Sequence, residues 1–252
     1  MEGELRKAAT LFSLTTRSLL ATRRGLATVA LAAIPVVLAA ALALARVESF
    51  NIVLFESLMI PLFLQVVLIF VTVVMSVSLL RDEIEDDTLP YLLTRPLSKP
   101  AIAGYKYVGY LAAALLMLLP SVTVAYVVTQ SYAGDPLGAD LDVLSAFLLA
   151  TVLGVAAYGG FFLLLSLVTR RPLAVGLVFG FVWESIVGSI PGDVPKLSII
   201  YYLRSILNGL IKFPAGSYVS ALDASLVLIG VSAGTLVLAM LVFQRMEFTH
   251  KA

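Results

Sequence analysis

The chain has 252 residues, 60% of them hydrophobic and only 13% charged, with a net charge of +1. A soluble domain carries about 25% charged residues, so this chain cannot cover a water-facing surface, and its near-neutral balance gives no electrostatic footprint for nucleic acid. The absence of Cys and the single His, His250, exclude disulfides, thiolate metal sites, Cys nucleophiles and nearly all imidazole acid–base chemistry, so neither catalytic nor metal-ligating residues are expected.

Residues 4–24 read as an amphipathic helix, with Leu5, Ala8, Phe12 and Leu19 on one face and Arg6, Ser13, Arg17 and Arg24 on the other. Such a helix lies in the membrane interface with its arginines near anionic head groups; a plain basic flank for the first span is the simpler account. The first apolar run, 25–45, holds Ala-Leu-Ala twice near its end, as a signal-peptide cleavage site would. The basic leader and the run are both long for a signal, so a retained span is expected.

A second span covers 57–80. Glu56 stands at its outer end, where interfacial exposure accounts for it. Gln65 is deeper, and an amide there is expected to bond another helix, which makes it a candidate for a pathway or gate. The segment 81–106 follows, and then three further spans at 107–130, 143–168 and 172–190. Glu184 lies 12 residues after Pro172, about 18 Å along a helix. A carboxylate at that depth is costly and is a functional candidate by default; structural pairing is the competing account. The loop 191–223 carries Ile199, Ile200, Leu203, Ile206, Leu207, Leu210 and Ile211 at helical spacing. This predicts a short helix lying at, or dipping into, the outer interface, where it would be placed to cap an exit. The last span is 224–244.

Six uncharged or nearly uncharged runs of this length imply an all-α integral membrane protein forming a single transmembrane domain, because a helix satisfies its own backbone in lipid. Placing the N-terminus inside puts 13 of the 17 Lys and Arg residues on the inner side, which fixes the orientation. Both termini and the 81–106 segment are then cytoplasmic. Gly176/Gly180 and Gly230/Gly234 form small-xxx-small pairs that allow close helix approach, and with it a dimer. The formal G-x-S-x-G at Gly230 to Gly234 falls inside the last span with no His in any span, which argues for packing and against a hydrolase. No G-x-x-x-x-G-K run occurs, so the chain binds no nucleotide through a P-loop.

The 81–106 segment is the most charged in the chain. Asp82, Glu83, Glu85, Asp86 and Asp87 follow Arg81, and carboxylates contribute little to topology. They do suit a helix start. Asp87 or Thr88 is an N-cap, Pro90 fits a first turn, and the acids complement the helix dipole. A short helix is expected over 89–94, stopped by Pro96, with Ser98, Lys99 and Pro100 opening the next. Tyr91, Leu92 and Leu93 give it an apolar face. Two turns are not stable alone, so that face needs a partner.

This stretch resembles the cytoplasmic signature of type-2 ATP-binding cassette (ABC) permeases. The matching residues are Glu83, Glu85, Thr88 and Leu89, then Leu92-Leu93, Pro96-Leu97-Ser98-Lys99, and Lys106 entering the third span. Asp87 stands where the family usually has Gly. The resemblance implies a conformational latch at Glu83, Glu85 and Thr88. It implies a coupling surface at Leu89, Leu92, Leu93 and Pro96, with Lys99 and Lys106 on its flanks. It also implies ATP and Mg bound by a separate ABC ATPase subunit, none in this chain, and a second permease chain, a homodimer in the simplest case, in the cytoplasmic membrane. The expected function is the permease subunit of an exporter. The alternatives are a non-transporting membrane anchor or assembly factor that recruits a cytoplasmic partner, or a channel or secondary carrier, against which the scarcity of intramembrane charge counts.

Overall fold

A computed structural model describes residues 23–246 apart from 48, 86–98, 189, 191, 215 and 217; for residues 23–24 and 81–85 only the backbone is described. The expected interfacial helix at 4–24 thus lies outside the described residues except for its last two positions. The expected coupling helix at 89–94 lies outside them entirely.

Every regular element among the described residues is a helix, and there are no strands among them. α1 (Arg23–Ala32) and α2 (Ile34–Leu44) form one bent rod. Pro35, in the first turn of α2, has no N–H to give the preceding turn, and the helix is interrupted just before it at Ala33. Arg46, with φ 52°, turns the chain. Asn51 restarts it, its side chain capping the Leu54 N–H at 3.1 Å. α3 (Ile52–Met59) widens into a π-helical segment, Ile60–Val67, before α4 (Leu68–Glu85). Pro61 lies at the start of that segment, where its missing donor loosens the α-helical ladder.

α5 (Lys99–Ala133) is 35 residues long, about 50 Å by helical rise, against a hydrocarbon layer of about 30 Å. α6 (Leu141–Val168) is the central helix, packed against α4, α5 and the two last helices of the chain. Mid-helix carbonyls of α6 accept buried hydroxyls from its neighbours: Tyr110 on Val155 at 3.0 Å, Tyr107 on Ala156 at 2.7 Å and Ser76 on Gly159 at 2.6 Å. Glycine makes the approach possible. A Cβ on Gly159 would fall 2.2 Å from the Tyr110 ring.

α7 (Pro172–Val178), a second π-helical segment (Phe179–Trp183) and α8 (Glu184–Val187) follow in one continuous run. After a 3-10 turn at Val194–Leu197 come α9 (Ile199–Ile211) and α10 (Ala221–Arg245).

Among the described residues, five helices are long and apolar enough to cross a membrane: Gly25–Leu44, Ile52–Leu80, Lys99–Ala133, Leu141–Val168 and Ala221–Arg245. The remaining expected span, the fifth at 172–190, is shorter as a helix than its apolar run. Its helix spans Pro172–Val187, about 24 Å by helical rise. It stops there because the chain doubles back to bring Ser198, Ile199 and Ile200 against Glu184. The two expected small-residue stripes also part ways. Gly176 and Gly180 press on α4, where a Cβ on Gly180 would meet Ile69 Cγ2 at 2.3 Å, whereas Gly230 and Gly234 face open space.

Candidate functional site

The two π-helical segments face each other, and a polar cluster joins them. Gln65, within the first, donates through Nε2 to Ser185 Oγ at 2.6 Å, two residues beyond the second. Its Oε1 accepts from Arg204 of α9 at 3.3 Å. Gln65 is 13 residues into the Ile52–Leu80 helix, close to its middle. The helix of the expected outer loop therefore does not lie apart from the bundle; it packs on α6 and α10 and reaches the centre of the second span. π-helical turns cost backbone hydrogen-bond quality, and they recur where a side chain must be aimed at a functional site.

Glu184 adjoins this cluster and is 1% exposed. Its carboxylate accepts the Ser198 hydroxyl and the backbone N–H groups of Ile199 and Ile200, the latter two at 3.2 and 3.1 Å. These are the first donors of α9, which have no partner within their own helix. Glu184 thus caps α9 from another segment of the chain, and the positive end of the α9 dipole offsets its charge. Tyr158 of α6 sits beside both Glu184 and Arg204. Its hydroxyl is fully buried and has no hydrogen-bond partner among the described residues; the same holds for Arg204 Nε.

Of the two residues that the sequence singles out inside the bilayer, the structure therefore places both at one locus, Gln65 through Ser185 and Glu184 as its neighbour in the chain. Sequence reading missed Arg204, which was only an outer-side charge in the topology count. A signal was available. Ile200, Arg204, Leu207 and Ile211 fall at i, i+4, i+7 and i+11, so the arginine lies on the apolar face of its helix. Tyr158, Ser185 and Ser198 carried no comparable signal.

The residues of the 81–106 segment are placed only at its edges. Glu83 and Glu85 are in the last turn of α4 by backbone. Thr88, Leu89, Tyr91, Leu92, Leu93 and Pro96 lie outside the described residues. Both flanking lysines are tied to spans. Lys106, 5% exposed, donates to the Leu79 carbonyl of α4 at 2.8 Å. Lys99 donates to the Met246 carbonyl at 2.8 Å, just past the end of α10. The formal G-x-S-x-G lies in the middle of α10, with the Ser232 hydroxyl 3.0 Å from that of Tyr107. This is an interhelical packing contact, not a nucleophile on a turn.

Among curated proteins none matches the chain. A family model described as ABC-2 family transporter protein matches residues 15–248. That match covers every expected span, the 81–106 segment and the polar cluster, and the chain belongs to the ABC-2 transporter family as one of its membrane components.

Proposed function

We propose that the chain is the permease subunit of an ABC exporter, driven by a separate ATPase that docks on residues 81–106. The observation that carries this reading is the family match across 15–248 in a chain without a phosphate-binding glycine loop: the family moves solutes, and the energy must come from another subunit. In this reading Pro172–Val187 is a short fifth span of a six-span chain with both termini cytoplasmic, and two copies, a homodimer in the simplest case, enclose the pathway. Glu83, Glu85 and Thr88 form the latch, and Leu89, Tyr91, Leu92, Leu93 and Pro96 the docking surface. Lys99 and Lys106 pass its movement to α10 and α4. Gln65 and Glu184, where the two π-helical segments meet α9, form the gate on the opposite side.

Affinity purification in mild detergent tests the reading. A stoichiometric ATPase carrying a P-loop copurifies with the wild-type chain, and Leu92→Asp with Leu93→Asp loses it while the permease stays folded. A wild-type chain that brings down no ATPase would leave the anchor or carrier readings in its place.

A further inference from the structure

Among the described residues no carboxylate forms an ion pair with Arg204, and its hydrogen bond goes to a neutral amide, Gln65 Oε1, at 3.3 Å. The acid in the cluster, Glu184, accepts from Ser198, Ile199 and Ile200 and adjoins Tyr158. A guanidinium near the middle of a membrane-spanning bundle is costly without an anion, and a neutral amide does not cancel its charge.

Two donors point to what is missing. Among the described residues, Arg204 Nε and the Tyr158 hydroxyl are both buried without a well-aligned acceptor; the hydroxyl lies beside both Arg204 and the Glu184 carboxylate, whose oxygens are already taken by Ser198, Ile199 and Ile200. Buried donors are rarely left unmade, because each costs the desolvation of a polar group. The planar fork of an arginine matches the paired oxygens of a carboxylate or phosphate. Access is open on one side: Gln65, Ser185 and Arg204 are half-buried, while Tyr158 and Glu184 form the closed floor.

We propose that Arg204 and Tyr158, with Gln65 and Ser185 at the rim, bind an oxyanion group, a phosphate or carboxylate carried by a lipid headgroup or by a free solute. This deepens the reading of the cluster as a gate and rests on it: the anion completes the contact between the second span and α9, so its arrival or departure biases whether that contact closes.

The test uses the purified full-length permease alone, with no ATPase, so that its failure and the failure of ATPase copurification are separate results. Thermal unfolding in detergent is followed with inorganic phosphate at constant ionic strength. Retention of phosphatidylglycerol against phosphatidylcholine is read by native mass spectrometry. Stabilisation by inorganic phosphate identifies a free oxyanion as sufficient; selective retention of phosphatidylglycerol without it identifies the lipid headgroup. In either case Arg204→Gln weakens binding about tenfold or more, and Lys212→Asn, which removes an exposed charge at the left-handed end of α9, does not. Should Arg204→Gln fail to fold, Tyr158→Phe decides, because it removes one hydroxyl and weakens binding several-fold. No response to either ligand, or wild-type binding by Arg204→Gln or by Tyr158→Phe, overturns the proposal.

Discussion

Glu184 Oε2 accepts the backbone N–H of Ile200 at 3.1 Å, joining the end of one short helical run to the beginning of the next. With Ile199 N–H at 3.2 Å on Oε1 and the Ser198 hydroxyl on Oε2, one carboxylate satisfies much of the first turn of α9. The contact holds α9 in the bundle, where its Arg204 reaches Gln65.

Glu184→Gln keeps one acceptor oxygen and removes the charge. The cap should weaken by about 1.5–3 kcal/mol, the range for hydrogen bonds to a charged group. Amide exchange at Ile199 and Ile200 is expected to rise, and the unfolding temperature to fall, with Glu184→Leu falling further. Unchanged exchange at those two amides would sink the capping account. If Glu184 also lines the gate, Glu184→Gln alters substrate-stimulated ATPase activity in the assembled transporter as well.

Lys99 and Lys106, both near the start of α5, tie it to two different spans. Lys106→Met leaves the Leu79 carbonyl without its cation, and Lys99→Met does the same to Met246. At Met246, the C-cap of α10, such a cation contributes about 0.3–1 kcal/mol, more when partly buried. Lys99→Met is therefore expected to raise amide exchange in the last turn of α10 and leave α4 unaffected, while Lys106→Met loosens the inner end of α4 instead. ATPase copurification survives in both. Coincident changes in the two helices would show that the tethers do not act separately.

The helical class, the transport family and the membrane setting were legible because they rest on local signals: long uncharged runs, the Lys and Arg asymmetry, and the Glu83 to Lys106 pattern. Glu184 and Gln65 stood out for the same reason, as polar residues at hydrophobic positions. What Glu184 does was not legible, since its partners lie 14 to 16 residues away and a hydropathy pattern says nothing of where a loop folds back. Arg204 was hidden because a charge in an expected outer loop needs no explanation; only the packing of α9 into the bundle makes it anomalous. The fifth apolar run was read too long for a related reason. Apolar composition continues to Ile190, but the helix ends at Val187 to let the chain return.

The two glycine pairs are identical as patterns and opposite in surroundings, which makes them a direct test of the packing. Gly180→Ala places a methyl 2.3 Å from Ile69 Cγ2. Overpacking of this kind costs about 1–3 kcal/mol. Gly230→Ala meets nothing within 4 Å and gains helix propensity, so it should be neutral or stabilising by up to about 1 kcal/mol. Thermal unfolding of both variants in one detergent separates them. Ile69→Ala removes the offending methyl, so adding it to Gly180→Ala should cost less than the sum of the two single changes, as expected for side chains in direct contact. Equal effects at Gly180 and Gly230, or strict additivity with Ile69→Ala, would mean that the fifth apolar run does not pack on α4 through its glycines.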